Sequence, residues 1–142
     1  MYSLWLMPDE SESKAYRDII YSLSRKFNTQ VFEPHITLLT GINGPILDPA
    51  FYKLSVLAAL TPQFNVSFSK MGYQNEFYKC LYLETNPINK LHEIHAEAKV
   101  FFPSSSYKLK PHLSLMYANK SSKSKQKIIK TLQDSLPKKT LF

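Results

Sequence analysis

Apolar residues recur along the chain with two spacings, the alternation typical of strands and the three- to four-residue spacing typical of amphipathic helices. The two patterns follow one another as strand, helix, strand, helix, two strands, helix, strand, helix and a last strand fragment. The predicted strands are residues 2–7, 33–40, 64–71, 77–84, 111–118 and 138–142. The predicted helices are 10–27, 48–60, 86–102 and one that starts at Ser121 or Ser122 and ends near 136. This order predicts an α+β fold, with 64–71 and 77–84 as a hairpin and residues 1–142 as a single domain.

One five-residue pattern occurs twice, as Pro-His-Ile-Thr-Leu at 34–38 and as Pro-His-Leu-Ser-Leu at 111–115. Both copies fall on predicted strands, where alternate side chains share a face. The histidine and the hydroxyl therefore point one way, and the apolar residues point into the core. The resulting pairs are His35 with Thr37 and His112 with Ser114. Two similar lobes facing each other across a groove would bring the pairs together.

Two opposed histidines suit metal-free cleavage of a phosphodiester. The attacking and leaving oxygens lie roughly in line, so one group deprotonates the incoming water while another protonates the departing alkoxide. Histidine serves either role because its ordinary pKa of about 6.5 keeps both protonation states populated near neutrality. The hydroxyls can donate to charged phosphate oxygens. Hard metal ions are bound by several oxygen ligands, and Glu33 is the one carboxylate close in sequence to either histidine and on the same face. The pattern therefore predicts no metal site and no cofactor.

Composition narrows the class of protein. Aromatic residues are abundant, with nine Tyr, nine Phe and one Trp, and no apolar run approaches the roughly 20 residues that span a bilayer. The start of the chain lacks the features of a signal peptide, and Cys80 is the single cysteine. We therefore expect a cytoplasmic protein without disulfides or membrane partners. The net charge of +7 divides into +9 for residues 99–142 and −2 for residues 1–98, which favours either an anionic ligand or a solvated lysine-rich helix face.

The tandem motifs resemble those of the 2H phosphoesterase superfamily. The stretch Tyr-Ser-Leu-Trp-Leu-Met-Pro-Asp-Glu at 2–10, the motif at 34–38, and Pro-His-Leu-Ser-Leu-Met-Tyr-Ala at 111–118 are similar to the cyclic phosphodiesterases of plants and fungi. The resemblance extends to about residue 136. It implies a two-lobed fold with pseudo-twofold symmetry, in which antiparallel sheets with outer helices enclose a central groove. It also implies hydrolysis of ADP-ribose 1″,2″-cyclic phosphate and of nucleoside 2′,3′-cyclic phosphates, the latter to 2′-phosphates.

The same resemblance implies roles for individual residues. His35 and His112 would be the acid–base pair, with His112 taken as the base and His35 as the acid. Thr37 and Ser114 would bind phosphate. Tyr117 would assist them, although in an ideal strand it faces away from His112, so a bulge or a strand end is needed there.

Three further aromatic residues are candidates for substrate binding. Trp5 matches a family position and could stack on a base or belong to the core. Phe77 and Tyr78 begin a predicted strand near the groove, where they could stack on substrate or form part of the core or the rim. His92 and His95 lack the spacing and the third ligand of a zinc site, and His95 is predicted to pack in the core.

Three functions are compatible with these features. The leading hypothesis is a cyclic phosphodiesterase whose partner is a small nucleotide-derived cyclic phosphate. The second is a related enzyme that acts on RNA ends carrying 2′,3′-cyclic phosphates, with the basic C-terminal helix binding phosphates. The third is a non-catalytic nucleotide- or RNA-binding module. Relatives usually continue beyond the last helix, so we expect one lobe to be thin, exchanged or completed by a partner chain.

Overall fold

The computed structural model describes residues 1–44 and 48–142, and the described chain has an α+β fold of four helices and six strands. The strands are β1 (Tyr2–Leu6), β2 (Ile36–Ile42), β3 (Asn65–Gly72), β4 (Leu81–Thr85), β5 (His112–Met116) and β6 (Lys139–Leu141). The helices are α1 (Glu10–Phe27), α2 (Asp48–Ala59), α3 (Asn89–Phe101) and α4 (Ser122–Leu132), with a short 3-10 helix at Phe77–Lys79. The predicted fold class is therefore confirmed. No helix of the described residues is long and apolar enough to cross a membrane.

The six strands form one antiparallel sheet in the order β1-β2-β5-β4-β3-β6. The junction between β2 and β5 at its centre is short and consists of the registered pair Ile36 and Leu113. Helices reinforce this junction, because α1 packs against β5 while α3 packs against β2. Each helix thus supports the motif strand that it does not directly precede in the chain.

The apolar residues of the motif strands are buried as the alternation predicts, although His35 and Ser114 on the other face are buried as well. Buried apolar side chains of both strands join the core formed with α1 and α3; they are Ile36, Leu38, Leu113 and Leu115. Because neighbouring residues point to opposite faces, Thr37 and His112 lie on the side away from these helices. Hydrophobic burial on one face therefore fixes the register that presents the polar residues on the other.

The C-terminal fragment predicted at 138–142 is a strand, and it pairs with β3. It also closes onto the start of α1. The Asp9 amide donates to the Leu141 carbonyl at 2.8 Å, and the Leu141 amide donates to a Glu12 carboxylate oxygen at 2.7 Å. The Tyr16 hydroxyl hydrogen-bonds Thr140 at 2.5 Å inside the core. These contacts anchor the last residues to the first helix.

Two predicted strand boundaries are wrong in a way that affects the site. The strand predicted at 77–84 begins at Leu81, because Phe77–Lys79 forms a 3-10 turn instead, although the predicted pairing with β3 is confirmed. The first motif strand begins at Ile36 rather than at residue 33. Aromatic residues such as Phe77 and Tyr78 are common in strands, yet both side chains are exposed here and pack locally with Tyr117. Such tertiary contacts are not visible in sequence periodicity.

Candidate active site

The two histidine–hydroxyl pairs meet at the junction of β2 and β5. Because Ile36 is registered with Leu113, extending the antiparallel register by one residue on either side sets Thr37 opposite His112 and His35 opposite Ser114. Each histidine thus lies across from the hydroxyl residue of the other motif. All four side chains line one cleft of about 700 Å³, within the range of roughly 300–1,000 Å³ usual for ligand pockets.

Each imidazole is held by a carbonyl two residues earlier. His35 Nδ1 lies 2.6 Å from the Glu33 carbonyl oxygen, and His112 Nδ1 lies 2.7 Å from that of Lys110. A carbonyl can only accept, so Nδ1 carries the proton and donates in both rings. In the neutral tautomer Nε2 is then an unprotonated base, and in the imidazolium it is a proton donor. Both histidines are thus held in the same tautomer, with Nε2 left for chemistry.

Burial lowers the pKa of both histidines. Desolvation is the largest cause for His35, which is 6% exposed, and the hydrogen bond to the Glu33 carbonyl acts in the opposite direction. Desolvation is also the largest cause for His112, but the charges of Lys79 and His35 lower its pKa further. Both rings therefore favour the neutral form, and His112 has an additional electrostatic reason to do so.

Aromatic rings surround His35 and Tyr117. The Trp5 indole stacks on the His35 ring with centroids 3.8 Å apart and planes inclined by 11°, while Phe32 approaches the same imidazole edge-on at 6.4 Å. Phe32 also stacks on Tyr117 at 3.8 Å, and Tyr78 meets Tyr117 edge-on at 5.3 Å. Trp5 and Tyr117 line the cleft. These contacts give His35 a rigid, dehydrated setting.

Tyr117 lies just past the end of β5, which stops at Met116. This strand end frees the side chain from strict alternation and lets it turn towards the cleft, as the sequence reasoning required. Burial raises the pKa of Tyr117 to about 12, with hydrogen bonding to Ser114 acting in the opposite direction. The phenol is therefore a neutral hydrogen-bonding group across the physiological pH range.

The two hydroxyls of the motifs differ in their partners. The Ser114 hydroxyl donates to the Tyr78 carbonyl at 3.1 Å, so its single proton is engaged. Thr37 is half-buried at the cleft wall and makes no hydrogen bond through its hydroxyl to the described part of the protein. Thr37 is thus ready to donate to a ligand, whereas Ser114 must rotate away from Tyr78 before it can.

Of the three residues predicted to bind substrate, Trp5 and Tyr78 line the cleft and Phe77 does not. Tyr78 lines the cleft and is 70% exposed, and Trp5 lines it with 45% of its surface exposed. Phe77 does not line the cleft; its ring packs near Tyr78 and Tyr117, and its carbonyl accepts from the Ala118 amide at 3.2 Å. Phe77 therefore supports the wall rather than forming it.

Tyr82 is a neighbour of the site that the sequence reasoning did not single out. It is registered with Ser114, as Trp5 is registered with Thr37, and its ring meets His112 edge-on at 5.4 Å. Gly72 makes room for it, since a Cβ there would lie 2.7 Å from the Tyr82 ring. Trp5 and Tyr82 are separated in sequence by the same distance as the two histidines, which is the signal that could have identified Tyr82.

The polar cleft residues that the sequence reasoning missed include Gln74, Glu76, Lys79 and Lys110. The first three lie between β3 and β4, where the sequence predicted a turn and a strand. Lys125 of α4 anchors the segment between β3 and β4. Lys125 is 1% exposed, and its ammonium donates to the Gln74 carbonyl at 2.6 Å and to the Asn75 side chain at 3.1 Å. A buried lysine in a basic helix carries no sequence signal that separates it from its exposed neighbours.

The remaining candidates do not face the cleft. The Glu33 carboxylate pairs with Arg17 at 2.8 Å, so only its backbone carbonyl reaches His35. His95 donates through Nδ1 to the Leu38 carbonyl at 2.7 Å, in a packed contact between α3 and β2. His92 is exposed. Within residues 1–44 and 48–142, no three His, Cys, Asp or Glu side chains cluster as metal ligands would.

An α+β fold that brings two fixed imidazoles and two hydroxyl residues to one cleft has the groups required for acid–base chemistry on a phosphoester. Residues 1–140 match the family described as cyclic phosphodiesterase-like protein. The chain is also 24% identical over 140 residues to the cyclic phosphodiesterase of Arabidopsis thaliana, covering 96% of this chain and 77% of the plant protein. The chain belongs to the cyclic phosphodiesterase-like family and is an enzyme of the phosphodiesterase class. The family resemblance predicted from the motifs is confirmed.

Proposed function

We propose that this enzyme hydrolyses cyclic phosphodiesters of small nucleotide-derived molecules, with His35 and His112 as a metal-independent acid–base pair. The proposed substrates are ADP-ribose 1″,2″-cyclic phosphate and nucleoside 2′,3′-cyclic phosphates, the latter opened to 2′-phosphates. One observation supports this most strongly. Both imidazoles are held by hydrogen bonds from Nδ1 to backbone carbonyls, and they lie on either side of the Ile36–Leu113 pair. This arrangement offers two Nε2 atoms to a phosphate between them.

In the proposed mechanism His112 is the base and His35 is the acid. Neutral His112 accepts a proton through Nε2 from a water molecule as the water oxygen bonds to phosphorus. The bond from phosphorus to one ribose oxygen breaks, and the His35 imidazolium donates its Nε2 proton to that leaving oxygen. The positive charge of Lys79, which lowers the pKa of His112 in addition to its burial, supports His112 as the base. Proton exchange with solvent then restores both rings.

Hydroxyl donors and aromatic rings provide the binding contacts in this proposal. Thr37, with its free proton, donates to a non-bridging oxygen, and Ser114 and Tyr117 complete the set once Ser114 turns from the Tyr78 carbonyl. The exposed surfaces of Trp5 and Tyr78 are available to a base or a sugar. One face of Trp5 is already covered by His35, so a ligand would stack on the other.

We also infer that the fold is the two-lobed, pseudo-twofold arrangement of the 2H phosphoesterases. The order β1-α1-β2 is repeated as β4-α3-β5, and the repeats meet at Ile36 and Leu113. The register repeats as well, because Trp5 opposes Thr37 and Tyr82 opposes Ser114. Local symmetry of this kind supplies each histidine with an equivalent aromatic neighbour.

A substrate panel tests the proposed function. Purified enzyme is incubated with ADP-ribose 1″,2″-cyclic phosphate and the four nucleoside 2′,3′-cyclic phosphates, and the products are identified by phosphorus NMR. The expected result is ring opening to ADP-ribose 1″-phosphate and nucleoside 2′-phosphates. Absence of turnover with every member at high enzyme concentration, together with tight product binding, would instead indicate a non-catalytic binding module.

Action on RNA ends is the second candidate, and the position of α4 favours it. This basic helix adjoins the cleft through the Lys125 contacts to residues 74–75, and its other lysines are exposed. An oligonucleotide ending in a 2′,3′-cyclic phosphate is compared with the matching mononucleotide at two salt concentrations. A preference for the oligonucleotide that disappears at high salt would support RNA as the substrate, because counterion release makes such binding salt-dependent.

A further inference from the structure

Tyr82 lies on β4 next to the second motif strand. It is registered with Ser114, and Glu84, the next residue on the same face, is registered with His112. Diagonal neighbours on one face of an antiparallel pair are within reach of an aromatic side chain. The Tyr82 ring accordingly meets the His112 imidazole edge-on, with centroids 5.4 Å apart. Tyr82 is half-buried and does not line the cleft, so it contacts the histidine rather than the space for substrate.

Three further contacts hold the Tyr82 ring in place. The Lys79 ammonium lies 5.3 Å from the ring centroid, within the range of a cation–π contact. The Gln74 amide donates to the Tyr82 hydroxyl at 3.4 Å. Gly72 is registered with Tyr82, and a Cβ at this glycine would lie 2.7 Å from the ring carbons. The ring is therefore held between the turn that carries Lys79 and the imidazole of His112.

The Tyr82 ring brings a positive charge close to His112. Lys79 forms no ion pair within residues 1–44 and 48–142, whose salt bridges join other side chains. A nearby cation disfavours the imidazolium form, and its effect is stronger where a ring excludes water. Burial is the largest cause of the lowered pKa of His112, and the charge of Lys79 lowers that pKa further. Tyr82 contributes to both causes, because it covers His112 and contacts Lys79.

We propose that Tyr82 is a positioning residue whose ring holds the Lys79 ammonium beside the His112 imidazole. This inference rests on the proposed function, in which neutral His112 is the base. The equivalent aromatic residue of the other repeat is Trp5, which stacks on His35. None of the cation–π contacts among the described residues involves Trp5. The pair of Tyr82 and Lys79 thus makes the two otherwise similar histidines electrostatically unequal.

Other charged and titratable groups also lie near His112. They come from the start of β2, the turn before β4, β4 itself and the segment before β5, and they are His35, Glu76, Glu84 and Lys110. Beyond burial, His35 lowers the pKa of His112 and Glu76 raises it. The Glu84 carboxylate lies 3.8 Å from the Lys70 ammonium. Lys110 holds the imidazole through its backbone carbonyl, and α1 packs against β5. Substitution of Tyr82 leaves all these groups in the chain, so a change in the pKa of His112 would report on the ring and on Lys79.

A double-mutant cycle tests the proposal. Tyr82→Leu removes the ring, Lys79→Met removes the charge, and a third variant combines the two. The pKa of His112 is followed by proton NMR of its imidazole, assigned with His112→Ala, so the measurement does not depend on turnover. Tyr82→Leu should raise this pKa and move the ascending limb of kcat/KM to higher pH, with KM near that of wild type. The rise should be smaller in the Lys79→Met background, and Tyr82→Phe should retain the wild-type pKa because it keeps the ring.

Two further variants control for damage to the fold. Tyr21→Leu removes an exposed tyrosine of α1 that also has a cation over its ring, Arg25 at 5.8 Å, and it should leave the pKa of His112 unchanged. Gly72→Ala keeps Tyr82 but displaces its ring, and it should raise the pKa of His112 as Tyr82→Leu does. Thermal melting of each variant checks that the fold is retained.

The outcomes separate the role of Tyr82 from the proposed function. An unchanged pKa of His112 in both Tyr82→Leu and Gly72→Ala would overturn the positioning role while leaving the function intact. An equal rise on removal of the ring with and without Lys79 would also overturn it, because the ring would then act by burial alone. The expected pKa shifts in an enzyme that opens none of the cyclic phosphates would support the positioning of Lys79 and overturn the function.

Discussion

Trp5 lies flat against the imidazole of His35, with ring centroids 3.8 Å apart. The contact joins β1 to the residue just before β2 and covers one face of each ring. Trp5 was expected to stack on a base or to belong to the core, and the structure gives it a third contact as a support for His35. The exposed remainder of the indole is still available to a ligand.

Replacing Trp5 should alter the ionisation of His35. Burial is the main cause of the lowered pKa of His35, so Trp5→Ala should raise that pKa towards the ordinary value and lower kcat, while Trp5→Phe should keep most of both properties. If His35 is the acid, the descending limb of the kcat/KM profile moves to higher pH in Trp5→Ala. A rise in KM with an unchanged pH profile would show that Trp5 acts on substrate alone.

Removal of either histidine should abolish most of the activity. His35→Ala and His112→Ala are each expected to lower kcat for 2′,3′-cyclic AMP by about 10²–10⁴-fold, the usual contribution of a positioned acid or base. His92→Ala, an exposed histidine away from the cleft, is the control and should behave as wild type.

Chelation should leave the reaction intact. Dialysis against EDTA is expected to change kcat by less than the scatter between preparations, because the proposed proton transfers use only the two imidazoles. Loss of activity on dialysis and its recovery with added Mg²⁺ or Zn²⁺ would contradict the proposed mechanism.

Thr37 and Ser114 should contribute unequally to kcat/KM. Thr37→Val removes a hydroxyl donor that has no partner within residues 1–44 and 48–142, and it is expected to reduce kcat/KM about 10- to 100-fold, as for a hydrogen bond to a charged group. Ser114→Ala should reduce kcat/KM by a smaller factor, because the Ser114 hydroxyl must break its hydrogen bond to the Tyr78 carbonyl before it can donate to substrate. Circular dichroism and thermal melting of both variants check that the fold is retained. A greater loss in Ser114→Ala would reverse the assigned roles.

Lys79 should set the acidic limb of the pH profile. Its charge lowers the pKa of His112, so Lys79→Met makes protonation of His112 easier and raises that pKa. With His112 as the base, which acts when neutral, the ascending limb of kcat/KM should move to higher pH. The profile is measured from pH 4 to 9 beside Lys127→Met, which is exposed on α4. Movement of the descending limb instead would exchange the roles of the two histidines.

Lys125 should matter for stability as well as for substrate binding. Lys125→Met leaves the Gln74 carbonyl and the Asn75 side chain without their donor, a loss of about 1–3 kcal/mol in the free energy of unfolding. Because Gln74 lines the cleft, KM should also rise. Urea unfolding gives the free energy, with Lys130→Met as the exposed control. Unchanged stability would show that the buried ammonium contacts are replaced by solvent.

Much of the local structure could be predicted from the sequence, because it depends on short-range rules. The apolar spacing of 10–27 predicted α1 with its correct bounds. Alternation at 34–38 and 111–115 predicted the burial of the apolar motif residues, although His35 and Ser114 are buried as well. The repeated motif indicated the family, which is now confirmed. The pairing of β3 with β4 also followed from proximity along the chain.

The contacts that the histidines make were decided by the tertiary structure. No periodicity shows that Trp5 meets His35, that Tyr82 meets His112, or that the Ser114 proton is taken by the Tyr78 carbonyl. The 3-10 turn at 77–79 was mistaken for a strand for the same reason. Local sequence determines which face of a strand is apolar, because alternation is a property of neighbouring residues. Which groups meet on the polar face depends on the register of strands distant in sequence, and that register is fixed when the whole core packs.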